Sequence, residues 1–235
     1  MFIKEFVNDN LSFVDEGVYD PHIFKAVFMA GGPGSGKSYV AEKLLGNTGL
    51  RQINSDKLYE LLATKQDLDL SDPEQIFSPG GQDARNRAKE ITKRQQDTFL
   101  DGRLGLVIDG TGKDVSKTAK QKEDLQKLGY DCAMIFVNTS LEVALERNKQ
   151  RPRVLKNEVV EKMWRQVQQN IMAFQQVFGN ANFFVVDNSG GLEDPDRQEN
   201  FRKVSGNIEK FLTQKPSLLP AKNWIKKQLQ SRNKT

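Results

Sequence analysis

The sequence contains almost none of the residues on which several common protein chemistries depend. It has one cysteine, Cys132, and one histidine, His22, among 235 residues. An internal disulfide therefore cannot form and a reducing compartment is expected, while a histidine-based catalytic triad and a histidine-rich metal site are excluded. No apolar run approaches the roughly 20 residues of a membrane-spanning helix, and the N-terminus lacks the apolar segment of a signal peptide. We therefore expect a cytoplasmic protein that does not contact membranes.

The composition is that of a folded domain with a slight excess of positive charge. Hydrophobic residues make up 37% and charged residues 28% of the chain, and the net charge is +4. The last sixteen residues contain no acid and carry Lys222, Lys226, Lys227, Arg232 and Lys234. Such a segment is typical of a solvated basic tail or of a contact for nucleic acid.

One glycine-rich stretch carries the strongest signal. Gly31–Ser38 has the sequence Gly-Gly-Pro-Gly-Ser-Gly-Lys-Ser and fits the phosphate-binding pattern G-x-x-x-x-G-K-[ST]. Its glycines allow backbone N–H groups to converge on an anion, and the following helix adds its own free N–H groups. Lys37 would place a cation on the β- and γ-phosphates of a nucleotide, and Ser38 would offer a hydroxyl to Mg²⁺. The residues predicted to hold the nucleotide are Gly32, Pro33, Gly34, Ser35, Gly36, Lys37, Ser38 and Tyr39.

The flanking pattern supports this phosphate loop. Residues 24–30 form an apolar run typical of a buried strand, and residues 39–45 have the apolar spacing of a helix. Strand, loop and helix follow one another in the order that the loop requires. We therefore expect the chain to bind ATP or GTP together with magnesium.

Strands and helices alternate along the rest of the chain. Further strands are predicted at 50–54, 104–109, 132–137 and 182–187. Helices are predicted at 57–64, 84–100, 114–128, 139–147, 157–178 and 197–212, with a long loop over 65–83. The alternation predicts an α/β fold, the three-layer α/β/α architecture of P-loop NTPases, with a mainly parallel sheet and a basic lid. The expected divisions are an N-terminal extension packed on the core over 1–23, the P-loop domain over 24–213 with its lid at about 147–156, and a basic tail over 214–235.

Local signals mark the ends of two of these helices. Asp114 is the expected N-cap of the helix over 114–128, and Gly129 is its expected C-terminal stop. Thr139 and Glu142 have the spacing of a capping box for the next helix.

Two acids follow predicted strands. Asp56 comes after the second strand and Asp109 ends the third. Because the carboxyl ends of parallel strands lie at one edge of a sheet, both acids should meet the phosphate loop in one crevice. There, a carboxylate could deprotonate an attacking alcohol or hold Mg²⁺ through water. Each acid could instead have a local role, Asp56 at a helix N-terminus and Asp109 at a capped strand end.

Two signatures of other P-loop proteins are missing. The guanine-recognition pattern Asn-Lys-x-Asp is absent, because Asn148 and Lys149 are followed by Gln150 and Arg151. No appended helical domain of the size found in ring-forming ATPases is evident. These observations favour a small phosphoryl-transfer enzyme, in which the protein positions groups and neutralises charge.

Four segments together resemble a known family. The segments 30–38, 53–56 and 108–111 and the arginine-rich lid are similar to the polynucleotide kinase and zeta-toxin branch of the P-loop kinases. The resemblance covers about residues 24–188. The chain also resembles kinases encoded by tailed bacteriophages, a group that includes enzymes phosphorylating 5-hydroxymethyluracil in DNA. A phage protein of this kind would act in the cytoplasm of the host cell.

The resemblance implies roles for the acids. Asp56 would accept the proton of the attacking hydroxyl. Asp109 would hold Mg²⁺ through water, or would bind the acceptor as the acid of the zeta-toxin Glu-Gly-Thr motif does. Thr111 lies on the same turn and would contact the acceptor.

The resemblance also implies roles for several arginines. Arg147, Arg151 and Arg153 would stabilise the transferring phosphoryl group from the lid, although a solvated basic loop has the same pattern. Arg85 would line the acceptor side or lie on a solvated face. Tyr59 stands three positions after Asp56, where the family often carries an arginine that grips the acceptor. This departure leaves the identity of the acceptor open, because tyrosine cannot fork onto a phosphate as arginine does.

The function expected from the sequence is an ATP-dependent kinase with magnesium as cofactor and DNA or RNA as acceptor. The hydroxyl would be a 5′ end or a hydroxymethylated base. Alternatives of the same class are a zeta-toxin-like kinase of a UDP-activated sugar and a kinase of nucleosides or other small alcohols. An alternative of another class is a nucleic-acid-binding ATPase whose only acceptor is water.

Overall fold

A five-stranded parallel sheet organises the protein. The computed structural model describes residues 14–70, 72–150 and 154–232. The strands within these residues are β1 (Lys25–Ala30), β2 (Arg51–Ile53), β3 (Leu106–Asp109), β4 (Asp131–Asn138) and β5 (Phe183–Asp187). Every pair of neighbouring strands is parallel, and the order across the sheet is β2-β3-β1-β4-β5.

Helices connect the strands and follow the last of them. The first five are α1 (Lys37–Leu45), α2 (Ser55–Lys65), α3 (Pro73–Phe77), α4 (Pro79–Asp101) and α5 (Val115–Leu128). The others are α6 (Leu141–Lys149), α7 (Asn157–Gln169), α8 (Ile171–Phe178), α9 (Pro195–Thr213) and α10 (Leu219–Arg232). Short 3₁₀ segments lie at Val14–Tyr19 and Asn180–Asn182.

The strand order creates a crevice between β1 and β3. The chain leaves β1 towards the β2 edge of the sheet, but it leaves β3 towards β4 on the other side of β1. In open parallel sheets, ligands bind at the carboxyl ends of strands where the connections diverge in this way. The loop after β1 is the phosphate loop, and Asp109 is the last residue of β3. The topology therefore brings these two groups together.

Both faces of the sheet are covered by helices, which confirms the predicted three-layer α/β/α fold. One face packs against α1 and α9 through residues such as Val40 and Ile208, whose side chains are buried. The other face packs against α4, α5, α7, α8 and α10. Alternate residues of β1 serve the two faces, because side chains in a strand point in alternating directions. Cys132 lies in this core, where burial raises the pKa of its thiol to about 12, so it is a packing residue.

The C-terminal segment differs from the predicted solvated tail. Residues 219–232 form α10, in which Ala221 is 0% exposed and Trp224 packs edge-on against Phe24 with ring centroids 5.4 Å apart. The close approach is possible because Gly129, at the end of α5, has a φ of 106° and no side chain. A methyl group on this glycine would lie 2.6 Å from the backbone nitrogen of Ala221. Lys222, Lys226, Lys227 and Arg232 therefore belong to a helix docked against the core, while Lys234 lies outside the described residues.

Three other local expectations are wrong. The predicted loop over 65–83 contains α3, and α4 already begins at Pro79. The predicted helix over 157–178 is interrupted at Asn170, which separates α7 from α8. The N-cap of α6 is Ser140, which accepts from the backbone N–H of Val143, while Thr139 is buried at the end of β4. The sequence does not reveal the interruption, because the apolar residues keep the spacing of a helix both before and after Asn170.

Other parts of the expectation are confirmed or lie outside the described residues. Asp114 caps α5 by accepting from the N–H of Lys117, and Gly129 ends that helix. The part of the N-terminal extension before residue 14 lies outside the described residues, as do Arg151 and Arg153 of the predicted lid. Within the described ranges, no helix combines the length and the apolar character needed to cross a lipid bilayer.

Candidate functional site

The loop between β1 and α1 has the backbone of an anion-binding turn. Gly34 and Gly36 have φ values of 75° and 76°, in the left-handed region that favours glycine. Gly36 is the N-cap of α1, and no side chain caps this helix. The first N–H groups of α1 are therefore left for an anion that lies in the loop.

A helix presses against the outside of this phosphate loop. A methyl group added to Gly34 would lie 2.2 Å from the carbonyl oxygen of Ala144 in α6. The helix backbone therefore occupies the space that any larger residue at position 34 would need. Because α6 begins just after β4, this contact fixes the phosphate loop relative to the end of that strand.

Asn188 supports the loop from a second side. This residue directly follows β5 and is 2% exposed. Its amide nitrogen donates to the carbonyl oxygen of Ser35 at 2.7 Å, and its amide oxygen accepts from Nε and Nη2 of Arg197 at 3.0 and 2.8 Å. A methyl group on Gly36 would lie 2.3 Å from the amide nitrogen of Asn188, so this amide needs glycine there. The end of β5 thus holds the phosphate loop in place.

Two arginines meet at Asn188. Nη1 of Arg147 donates to the backbone oxygen of Asn188 at 2.9 Å, and the guanidinium of Arg197 lies over the rings of Tyr39 and Phe201, 5.4 and 4.8 Å from their centroids. Burial, and secondarily the positive charge of Arg197, lower the pKa of the Arg147 guanidinium. The two charges make the region beside the loop strongly positive, which favours a polyanionic ligand.

Lys37 and Asp109 meet at the crevice between β1 and β3. The ammonium group of Lys37 forms an ion pair with Oδ1 of Asp109, and the two side chains are 18% and 19% exposed. Oδ2 of Asp109 accepts from the amide nitrogen of Asn54 at 2.8 Å. Asn54 also caps α2, because its Oδ1 accepts from the N–H of Asp56 at 2.8 Å. One asparagine therefore sets the position of both candidate acids.

A cavity of about 600 Å³ opens beside these groups. Lys37, Asp56, Asp109 and Thr111 line it, together with residues of α4 and α5. The carboxylate of Asp56 forms no hydrogen bond and no ion pair with any residue in the described ranges, so it is available to a molecule in the cavity. The arrangement places a cation and two carboxylates around a volume of the size that small ligands occupy.

Hydrogen bonds from Asn170 hold the turn that carries Thr111. The amide nitrogen of Asn170 donates to the carbonyl oxygens of Gly112 and Lys113 at 2.9 and 3.0 Å. Gly112 has a φ of 75°, which lets the chain reverse directly after β3. The interruption between α7 and α8 therefore has a structural role, because it directs Asn170 at this turn.

The residues present suit a magnesium ion bound together with phosphates. The described residues contain no group of three or more His, Cys, Asp or Glu side chains that could hold a metal alone. Ser38, exposed in the first turn of α1, and Asp109 supply oxygen donors, which Mg²⁺ prefers. This small donor set fits an ion that takes its other oxygens from phosphates and water.

One residue predicted to contact the acceptor lies away from the cavity. Arg85 does not line the cavity; its guanidinium lies 5.0 Å from the ring centroid of Tyr59. Tyr39, predicted to contact nucleotide, packs against Phe201 at 6.2 Å between centroids.

Sequence reasoning missed four residues that organise the site: Asn54, Asn170, Asn188 and Arg197. The two that directly follow strands, Asn54 and Asn188, share a signal that was available in the sequence. A polar side chain at the carboxyl end of a predicted parallel strand is a candidate for the crevice whatever its type. Asn170 and Arg197 lie inside the helices predicted over 157–178 and 197–212 and carry no comparable signal.

The sheet order and the phosphate loop place the chain in the class of P-loop, kinase-like phosphotransferases. The family model described as Zeta toxin matches residues 20–200, and the chain belongs to this family. The comparison with curated proteins gives no match.

Solved structures with the same fold are distant in sequence. The structure of the PezAT chromosomal toxin–antitoxin system of Streptococcus pneumoniae is similar over 88% of this chain and 95% of that chain, with 14% identity and a TM-score of 0.55. The structure of AvrRxo1-ORF1:AvrRxo1-ORF2 with sulphate ions is similar over 82% of this chain and 67% of that chain, with 14% identity and a TM-score of 0.52. At this identity the likeness shows a shared fold.

Proposed function

We propose that the protein is an ATP-dependent kinase that transfers the γ-phosphate to a hydroxyl of a nucleic acid. The hydroxyl is that of a 5′ end or of a hydroxymethylated base such as 5-hydroxymethyluracil in DNA. The observation that carries the proposal is the cavity that Lys37 of the phosphate loop shares with Asp56 and Asp109. A donor phosphate and an acceptor alcohol can meet there beside a carboxylate.

The chemical step is an in-line phosphoryl transfer. The acceptor oxygen attacks the γ-phosphorus, the bond from that phosphorus to the β–γ bridging oxygen breaks, and ADP leaves. Asp56 accepts the proton of the attacking hydroxyl, since its carboxylate is exposed to the cavity and has no competing partner among the described residues. Lys37 neutralises charge on the phosphates, and Arg147, beside Gly36, adds a second positive group.

Ser38 and Asp109 are the residues that would hold a magnesium ion. Such an ion would supply positive charge to offset the negative charge on the phosphates during transfer. The ion pair between Lys37 and Asp109 is compatible with this role, because it keeps the carboxylate at the phosphate end of the cavity.

A nucleic-acid acceptor is supported by the distribution of positive charge. Two lysines of α5 line the cavity, and α10, which carries Lys222, Lys226 and Lys227, docks at the C-terminal end of the same helix. A base that is to be phosphorylated must be single-stranded or flipped out to reach such a cavity. The positive charge of the two α5 lysines would hold a phosphate of the nucleic-acid backbone beside the cavity.

A UDP-activated sugar is the second candidate acceptor. The chain belongs to the zeta toxin family, and a cavity of about 600 Å³ accommodates a complete small molecule. Both candidates place a hydroxyl next to Asp56. They differ in the part of the acceptor molecule that fills the rest of the cavity.

The test is transfer of radiolabelled γ-phosphate from ATP with Mg²⁺ to a panel of acceptors. The panel contains 5′-hydroxyl DNA and RNA, duplex DNA with 5-hydroxymethyluracil, UDP-N-acetylglucosamine and free nucleosides. Label at one nucleic-acid hydroxyl is the expected result, and label on the sugar nucleotide alone would select the second candidate. Release of inorganic phosphate with no labelled acceptor would overturn the kinase proposal in favour of an ATPase. Lys37→Ala is the negative control and should abolish transfer, because the phosphates lose their cation.

A further inference from the structure

The cavity beside Asp56 continues as a groove between α4 and α5. Thr92 and Gln96 line one wall from α4, and Lys117, Lys120 and Gln121 line the other from α5. The floor is apolar, with Ile53 and Ile108 from the sheet and Leu125 from α5 among the lining residues. Asp109 lies at the end of this groove, so the reacting groups occupy only one part of its length.

Lys117 and Lys120 are the two lysines of α5 that line the groove. They lie one turn apart on α5, so their side chains share one face. Neither ammonium group pairs with a carboxylate anywhere in the part of the chain that the structure describes. Lys127, in contrast, contacts Glu123 at 2.9 Å and Asp124 at 3.3 Å. The two groove lysines are therefore the free cations of α5 within the described ranges that face the cavity.

The acids that line the groove offset only part of this positive charge, because the carboxylate of Asp56 is the one among them, in the described ranges, that is not already paired with another lysine. Asp124 lines the groove but is paired with Lys127, and Asp109 is paired with Lys37. Lys117 also lines a smaller cavity of about 270 Å³ under the turn that carries Thr111, so its position is next to the reacting end. Two free ammonium groups beside an apolar floor form a site for an anion attached to a partly apolar molecule.

We propose that Lys117 and Lys120 bind a phosphate group that the acceptor carries in addition to its reactive hydroxyl. The inference rests on the proposed kinase function and names the class of its acceptor. The acceptor is a nucleotide unit, either within a nucleic acid or in a nucleotide-activated sugar, and a neutral nucleoside or free sugar is a poor substrate. Its phosphate lies on the α5 wall, its apolar or heterocyclic part lies on the floor, and its hydroxyl faces Asp56.

The test measures binding apart from catalysis. The phosphate loop is first saturated with a non-hydrolysable ATP analogue and Mg²⁺, so that acceptor phosphates cannot occupy it. Calorimetry then measures the affinity for a 5′-hydroxyl dinucleotide and for UDP-N-acetylglucosamine, each paired with its neutral counterpart, thymidine or N-acetylglucosamine. The two arms separate the two sources of the phosphate.

The variants are the double substitution Lys117→Gln/Lys120→Gln and its charge-preserving form Lys117→Arg/Lys120→Arg. We expect the glutamine pair to weaken binding of the phosphate-bearing probe by roughly 10-fold or more per lysine, because a charge-assisted hydrogen bond is lost at each position. Binding of the neutral counterpart should not change, and the arginine pair should retain most of the affinity. Lys122→Gln, on the same helix but outside the groove lining, removes the same charge and should match the parent protein.

Two results would overturn the inference. One is equal affinity of the parent for the phosphate-bearing probes and their neutral counterparts. The other is a glutamine pair that binds the preferred probe within twofold of the parent. Lysine-dependent binding without any phosphate transfer would instead reject the proposed kinase reaction and leave the phosphate subsite standing.

Discussion

Asp56 combines a favourable position at a helix N-terminus with the catalytic role that we propose for it. It lies in the first turn of α2, where a negative charge interacts favourably with the helix dipole, and Asn54 takes the role of N-cap. Because the cap is made by its neighbour, the carboxylate of Asp56 remains available to the cavity. The helix-terminus role and the catalytic role are therefore compatible at this position.

Asp56→Asn tests the catalytic role. Transfer should fall by roughly 100-fold to 10,000-fold, because the amide cannot accept the proton of the hydroxyl. Affinity for the ATP analogue should persist, since Asp56 is not part of the phosphate loop. Transfer rates and calorimetry measure the two effects. Glu60→Gln, an exposed acid one turn further along α2, is the matched control, and near-parental turnover in Asp56→Asn would remove Asp56 from the mechanism.

Asn188 connects the folding of the last strand to the shape of the phosphate loop. Its amide satisfies the carbonyl of Ser35 and the buried guanidinium of Arg197, which is 7% exposed. A buried cation that loses its acceptor is costly, since its hydrogen bonds with water are not restored.

Asn188→Ala should therefore lower the free energy of unfolding by roughly 1.5–3 kcal/mol, the range for hydrogen bonds to charged groups. It should also weaken binding of the ATP analogue, because the loop carbonyl loses its donor. Chemical denaturation and calorimetry measure these changes. In the double variant Asn188→Ala/Arg197→Met, stability should be partly restored without recovery of nucleotide affinity. An Asn188→Ala protein with parental stability and affinity would show that the contact is dispensable.

At the scale of elements, α6 acts as the outer wall of the phosphate loop. The contact between Gly34 and the backbone of Ala144 leaves no room for a side chain at position 34. A shift of α6 would therefore move the loop, and with it the N–H groups that face an anion.

Gly34→Ala tests this wall. We expect weaker nucleotide binding and a lower melting temperature, because the new methyl group meets a backbone oxygen and the left-handed φ costs roughly 1–2 kcal/mol in itself. Gly49→Ala is the matched control, since Gly49 has the same φ of 75° but its nearest neighbour would be 3.4 Å away. If the two variants lose equal stability and neither loses nucleotide affinity, the contact with α6 does not shape the site.

The elements also show what the sequence could and could not predict. Strand positions were predicted within two residues, because four of the five described strands are apolar runs bounded by polar or turn residues. Asp114 and Gly129 were predicted correctly because their signals are local. The interruption at Asn170 was not predicted, since its cause is a hydrogen bond to the distant turn at Gly112. In the site, the phosphate loop follows from a contiguous motif, whereas the clamp at Asn188 depends on residues 153 positions apart.

For the whole molecule, α10 extends the core beyond the last strand. The pair of Lys25 and Asp131, at 2.8 Å, ties β1 to β4, and the hydroxyl of Ser217 donates to the same aspartate at 2.5 Å. Ala221 and Trp224 then complete the face of the sheet that also carries α5. The segment from Ser217 onward is therefore expected to unfold together with the sheet.

Trp224→Ala tests this coupling. We expect a loss of roughly 2 kcal/mol in a single cooperative unfolding transition, because the edge-on contact with Phe24 and part of the core packing disappear. The control Lys226→Ala/Lys227→Ala, exposed on the same helix, should keep the parental stability. Denaturation followed by fluorescence and circular dichroism measures both, and an unchanged transition in Trp224→Ala would mean that α10 is not part of the cooperative unit.

The order of the groups along the chain has a consequence for how activity arises during synthesis. Each of the site residues lies at the end of a different strand or after it, and strands that are consecutive in sequence are often not adjacent in the sheet. These residues are Lys37, Asp56, Asp109, Arg147 and Asn188. The phosphate loop is contiguous, but the residues around it come from every part of the described chain. A nascent chain that has not yet reached residue 188 lacks the clamp on its phosphate loop, so we expect the loop to take its final shape only after β5 has joined the sheet.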